Sequence, residues 1–331
     1  MKTFLALIVV VVFTTQEFKV KFGSVIPKDS PWETGLNEYI TYAEGKAQGA
    51  LKFKTYLGGQ LGGEVEMIKS VAMGTLEAGG FTTAALAEAL GIPELQVFEL
   101  PFLFESDAEA DHVMDAMFKP MSDILEKKGL MLVMWGSNGW RSFGTRHKPI
   151  TKPEDLKGLK MRSQESDVYI NFYKSLGATP VPISTPDVLV SLKSGMVDGF
   201  DQTPIFSIST GWTTASKHFT LSNHIYQPGA IVISKKFYDK LPPHAQTAII
   251  ASAAKVNLQK RSNKYVRDDD AEMVNSMEEI SGVKLIRLTD AQREEFKKAT
   301  KPVYAIMEKK IGTGIMQRMN NEIQKYRQSK K

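Results

Sequence analysis

The chain has no cysteine, only five histidines, and no long apolar run beyond its first residues. Without cysteine there are no disulfides, no thiolate zinc site and no cysteine nucleophile. The histidines (His112, His147, His218, His224 and His244) are scattered and form no His-Glu-x-x-His or similar ligand spacing. No Gly-x-Ser-x-Gly string anchors a hydrolase triad. An excess of one charge is missing too: 42 Lys+Arg stand against 37 Asp+Glu, a net charge of +5. No basic block interleaves with aromatics, so nucleic acid is not an expected partner. What remains is ordinary for a globular protein: 331 residues, 42% apolar and 24% charged. That length is enough for about two domains.

The one apolar run lies at the start. Met1-Lys2-Thr3 leads into Phe4–Phe13 (FLALIVVVVF), followed by polar Thr14 to Glu17. Spanning a bilayer takes about 20 apolar residues, so the run is too short. It has the anatomy of an export signal over residues 1–16, although the usual Ala-x-Ala cleavage site is absent. A buried strand is the competing reading, since four consecutive valines favour strand.

Along the rest of the chain, strand and helix patterns alternate. Phe18, Val20 and Phe22 alternate with lysines as in a half-buried strand. Trp32, Leu36, Ile40 and Ala43 make a helical stripe. A strand at 51–57, a helix from Glu64 to Met73 and a strand at 76–82 extend a β-α-β-α-β order, which implies parallel sheet with helices on its faces. Further on, helix is expected from Ala108, broken or kinked at Pro120, then strand at 130–135 and again at 142–145. Thr151 with Glu154 reads as a helix start. Strands at 160–162 and 180–183 alternate with helices at 166–176 and 186–194. After a strand at 230–234, residues 242–280 hold almost no breaker and read as one long helix or two joined by a kink. A strand at 283–288 and a helix at 290–310 close the pattern. Asp268-Asp269-Asp270 reads as a solvated helix face, because three consecutive residues diverge around a helix. No repeat of 20–50 residues is visible.

Few motifs carry chemistry. Gly58-Gly59-Gln60-Leu61-Gly62-Gly63 lacks the Lys-Ser/Thr of a P-loop and reads as turn chemistry before a helix. Two arginines follow expected strands, Arg141 in Asn138-Gly139-Trp140-Arg141 and Arg162 in Leu159-Lys160-Met161-Arg162. Ligands of open α/β sheets bind beyond the carboxyl ends of strands. A guanidinium fork matches the two oxygens of a carboxylate. Taken alone, an arginine in either place reads first as a surface ion-pair residue.

Together these strings resemble those of the extracytoplasmic substrate-binding proteins of tripartite ATP-independent periplasmic (TRAP) transporters, DctP type. The glycine loop, Leu100-Pro101-Phe102-Leu103-Phe104, Asn138–Arg141, Pro153–Arg162, Leu176–Pro182 and Gly195-Met196-Val197-Asp198-Gly199 occur in the family's order, and the resemblance spans about residues 17 to 310. It implies a two-lobed α/β binding protein in which each lobe is a mostly parallel sheet flanked by helices, with a long helix crossing both. The lobes would be 17–138 with 227–266, and 139–226 with 267–331. It implies that Arg162 clamps the carboxylate of an organic acid, that Arg141 assists, and that Gln202 stands where the family often has asparagine. Asn138, Glu64, Thr82 and Thr83 would then face the ligand, and Trp140, Trp212 and Tyr226 would wall the cleft. Surface or cap roles for Glu64, Thr82 and Thr83, and core packing for the aromatics, remain open. This chain departs from the family at Ser163-Gln164, Thr185 and Asp187-Val188-Leu189, where Val-Pro, an aromatic and Glu-x-Tyr are common. The implied partners are a small organic acid and the membrane subunits of the transporter, with a monomeric protein, no cofactor and no catalysis. Two other readings stand beside it: an enzyme acting on a small acid, and a binding protein for an amino acid whose ammonium would meet Glu64 or Asp201.

Overall fold

The computed structural model describes residues 16–330, and side chains throughout that range except at 252–256. The expected export signal therefore lies, except for Gln16, outside the described residues. Strands β1 (Phe18–Ser24), β2 (Leu51–Tyr56) and β3 (Ala78–Thr82) pair in parallel in the order β2-β1-β3. Helices α1 (Pro31–Lys46) and α2 (Glu64–Met73) fill the crossovers, α2 at the bounds its sequence pattern gives. Ser30 starts α1 by accepting a hydrogen bond from the Glu33 amide. Helix α3 (Thr83–Leu90) follows directly on β3.

Helix α4 (Asp107–Glu126) runs through Pro120 as one helix, so of the expected break or kink the break does not occur. Met114, Met117, Met121 and Leu125 bury one stripe on both sides of the proline, and that packing offsets the one missing hydrogen bond. Strand β4 (Leu130–Thr145) is a single strand of 16 residues, not two short ones. The polar segment between the expected strands keeps its backbone paired because β8 (His218–Ser234) runs antiparallel along nearly its whole length. Three register shifts absorb the irregular residues, one of them between Ser137 and Gly139.

Beyond β4 the sheet continues with β5 (Lys160–Ser163), β6 (Thr179–Pro182) and β7 (Gly199–Gln202) in the order β4-β7-β5-β6. β5 is parallel to both neighbours, as the β-α-β pattern requires, with α5 (Asp167–Ser175) and α6 (Val188–Ser194) beside it. The expected helix at Thr151 is only one tight turn, Pro153–Leu156. Asp155, not Glu154, accepts the Thr151 amide and hydroxyl there, at 2.8 and 2.9 Å. At the other edge β3 pairs antiparallel with the distal half of β8, so all the strands form one sheet that β4 and β8 cross.

After α7 (Pro204–Ser209), α8 (Lys235–Tyr238) and α9 (Pro243–Ile250), helix α10 (Ser252–Ser281) lies against α1 and β4 at one end and α7 at the other. The long breaker-free stretch is thus two helices, meeting at Ala251. Asp268 is exposed and paired with Lys264, as a solvated face would be. Asp270 is not: it is largely buried and accepts the Ile205 amide at the start of α7 at 2.9 Å, and burial pushes its carboxyl up to about 7. Strand β9 (Lys284–Arg287) adds to β8, and helices α11 (Asp290–Ile311) and α12 (Thr313–Gln328) close the chain. Helix α12 was not legible in the sequence; its Met316, Met319 and Ile323 stripe finds its partner only once α4 is in place.

Candidate functional site

Arg162 projects from β5 and is 1% exposed. Its Nε donates to the Ile183 carbonyl at 3.0 Å, and Nη2 reaches the Thr185 hydroxyl at 3.5 Å. The guanidinium lies over the Trp212 ring, 5.2 Å from its centre. No carboxylate among the described residues pairs with it. Burial and the nearby Arg141 pull its pKa down to about 10, so it remains a cation at neutral pH. A buried cation with only neutral partners is under-compensated, and an anion is what its surroundings lack.

Arg141 is buried as well, so neither arginine is a surface ion-pair residue. Its fork is fully used inside the protein. Nε meets Asp201 at 2.6 Å, Nη2 the Asp201 carbonyl at 2.5 Å, and Nη1 the side-chain oxygens of Gln227 and Gln202 at 3.0 and 3.3 Å. Asp201 also accepts from the Tyr173 hydroxyl at 2.8 Å and His224 Nε2 at 3.3 Å. Burial raises the Asp201 carboxyl, but Arg141 and His224 outweigh it and hold the group well below the usual carboxylate range. His224 stacks between Phe143 and Phe172, at 4.4 and 4.7 Å, and burial keeps its pKa low. Asp201 is thus spent, and it is not free to meet an ammonium group.

The cavity in front of Arg162 has a volume of about 90 Å³, well above the roughly 10–15 Å³ one water needs. Five of the expected residues line it: Arg162, Gln202, Glu64, Asn138 and Thr82. The Gln202 oxygen accepts from the Thr203 amide and Arg141, so its NH2 is the group left to donate. Glu64 accepts the Thr82 amide at 2.7 Å and the Thr82 hydroxyl at 3.2 Å; burial pushes its carboxyl up to about 7.

The others stand behind the lining. Thr83 turns inward to Glu99 at 2.5 Å. Trp140 packs on Tyr226, ring centres 5.3 Å apart, and donates to Asp107. Tyr226 donates to the Ser137 hydroxyl at 3.0 Å. Trp212 supports Arg162 from beneath, and Arg141 braces Gln202 and Gln227.

Among the lining residues that escaped the sequence reading are two glutamines. Gln164 donates to Thr82 Oγ1 at 2.6 Å and to Glu64 at 3.3 Å. Gln227 donates to the Gln164 oxygen at 2.9 Å. Gln227 gave no signal in the sequence. Gln164 did: it sits where the chain departs from the Val-Pro common in the family it resembles. The glycine loop also finds its use here. A Cβ on Gly63 would lie 2.2 Å from Ser184 Oγ, so the bare backbone lets the loop close on the segment after β6. Among the described residues no group of three His, Cys, Asp or Glu side chains is placed to hold a metal ion. None of the described helices is long and apolar enough to cross a membrane.

Comparison with known proteins gives this geometry a family. The chain superposes with a TM-score of 0.89 on the sugar acid binding protein DctPAm of Advenella mimigardefordensis in complex with galactonate, at 27% identity, covering 94% of this chain and 99% of that one. A TRAP periplasmic solute-binding protein of Polaromonas sp. JS666 bound to D-erythronate gives 0.86 at 30% identity, over 93% and 98%. Among curated relatives, a solute-binding protein of Verminephrobacter eiseniae is 30% identical over 86% of this chain and 84% of its own length. The C4-dicarboxylate-binding periplasmic protein DctP of Rhodobacter capsulatus is 28% identical over 88% and 87%. With residues 22–310 matching the family's profile, the chain belongs to the bacterial extracellular solute-binding proteins, family 7 (DctP).

Proposed function

We propose that this protein is the extracytoplasmic receptor of a TRAP transporter, capturing an organic acid whose carboxylate is held by Arg162 and passing it to the membrane subunits. The observation that carries this reading is the buried Arg162 guanidinium, which faces the cavity with no acidic partner. Relatives named for C4-dicarboxylate, galactonate and D-erythronate support the ligand class. The lobes of this reading are 17–138 with 227–266 and 139–226 with 267–331, hinged where β4 and β8 pass the cavity at Asn138 and Gln227. The protein would be exported through residues 1–16, act as a monomer, and return its ligand chemically unchanged, with no cofactor and no nucleic acid.

Closing over an anion strips its water, which costs several kcal/mol per ion. A two-toothed guanidinium and the Gln202 amide offset that cost. A thermal-shift screen of organic acids tests the reading. Ligand at about 100 times its Kd adds about 2.7 kcal/mol of stability. The shift should vanish in Arg162→Ala and largely vanish in Arg162→Lys, because an ammonium cannot hold both oxygens in one plane. An acid bound by Arg162→Ala as tightly as by the wild type would remove the clamp from the account.

A further inference from the structure

Strand register gives the cavity a direction. One sheet face forms its floor, in rows about 6.6 Å apart. At the hinge end stand Asn138 and Gln227. The next row is Thr82, Gly229 and Gly136, paired across β3, β8 and β4. The row beyond is Gly80, Ile231 and Met134, with Phe22 and Leu36 closing the far end. Polarity follows the same axis. Arg162, Gln202, Gln164 and Glu64 gather at the hinge end, and the far end is walled by hydrocarbon apart from the Ser262 hydroxyl beside Gly35. Ser24, in the far row, already spends its hydroxyl on the Gly80 carbonyl at 2.8 Å.

The glycine pair makes the passage between the two ends. Neither Gly136 nor Gly229 has a positive φ. A Cβ on Gly136 would meet nothing nearer than the Gly229 carbonyl at 3.9 Å, and one on Gly229 nothing nearer than 3.5 Å. The backbone there tolerates a side chain; what a side chain would fill is the cavity.

Accepting that the ligand is an organic acid, we propose that it is a monocarboxylate with an apolar tail, and that Gly136 and Gly229 determine specificity by leaving the tail's path open. The cavity's one guanidinium without an acid partner takes one carboxylate. A second would meet the Glu64 carboxyl, whose oxygens are already engaged by donors from Thr82 and Gln164 and which offers it no cation. A row of hydroxyls carried to the far end would have the single Ser262 hydroxyl to share, and a buried polar group left unpaired costs about tenfold or more in affinity.

Calorimetric titration of the mature protein with hexanoate, 4-methyl-2-oxopentanoate, succinate and gluconate tests this. The first two should bind about tenfold or more tighter than the last two. Gly136→Val should lower the ratio of hexanoate to propionate affinity about tenfold, since a methyl group wedged into a filled space is unfavourable by that order. Gly136→Ala should do so less, and Met134→Gln should weaken hexanoate with the glycines intact. Succinate or gluconate binding tighter than hexanoate, or an unchanged ratio in a folded Gly136→Val, overturns the proposal while leaving the acid reading standing. If no acid binds the wild type or alters its melting, the acid reading itself falls, and this proposal with it.

Discussion

Each ionisable residue at the site is defined by what already holds it. Arg141 and Arg162 look alike in the sequence, each an arginine just after an expected strand. Arg141 is saturated by Asp201 and two glutamines, while Arg162 has neutral partners only. That difference makes Arg141 an internal brace and leaves Arg162 as the arginine to which the proposed carboxylate is assigned. Glu64 is the complementary case, a carboxylate kept in the cavity wall by donors from Thr82 and Gln164. Burial raises its carboxyl from 4.5 to about 7. The folded state therefore keeps a proton that the unfolded chain releases in that window. The stability Glu64 contributes is complete below pH 4.5 and declines as pH rises through about 7. Glu64→Gln has no such proton to lose. Relative to wild type it should gain stability as pH rises from 4.5 to 7.5, by roughly 3 kcal/mol in all, since a tenfold difference in proton affinity between the folded and unfolded chain is worth roughly 1.4 kcal/mol. Parallel melting curves for the two proteins across that range would show that Glu64 is not held as described.

At the scale of elements, most helices and strands follow periodicity, and the exceptions share a cause. β4 and β8 carry glycine, asparagine, histidine and glutamine where a strand would ordinarily bury hydrocarbon. They persist because each supplies the other's hydrogen bonds, and because their polar side chains find partners in distant elements. Helix α10 is positioned by contact at least as much as by propensity. A Cβ on Gly35 of α1 would stand 2.2 Å from Ser262 Oγ and 3.2 Å from the Ser262 Cα, a backbone atom that cannot swing aside. Gly35→Val should therefore push α1 off α10 and lower stability by about 1–3 kcal/mol. A urea midpoint equal to that of wild type would mean that the two helices do not meet there.

The whole molecule is one sheet with a cavity at its middle, and the two ends of that sheet are joined by side chains as well as by β4 and β8. Gln164, after β5, reaches Thr82 at the end of β3 and Glu64 at the start of α2. Replacing its amide takes away bonds to the Glu64 carboxyl and the Thr82 hydroxyl and the bond it accepts from Gln227, each typically contributing about 0.5–3 kcal/mol. Gln164→Leu should loosen the ligand-free protein, raising its radius of gyration in small-angle scattering, and weaken acid binding about tenfold. A variant with the wild-type radius and affinity would show that this amide does not hold the two ends together.

How much of this could be read before folding depends on the range of the interaction. Periodicity, caps and breakers act over a few residues, so the sequence alone determines the β-α-β alternation, helix α2 to its bounds and the long helical stretch after Pro242. It could not assign Asp270 to the start of α7, run β4 through its glycines, or anticipate α12, whose buried face has no partner until α4 is present. Nor could it tell the two arginines apart, or bring Gln164 and Gln227 to one wall. Those outcomes rest on which distant groups remain unpaired after the chain has closed, and burial sets their cost only in three dimensions.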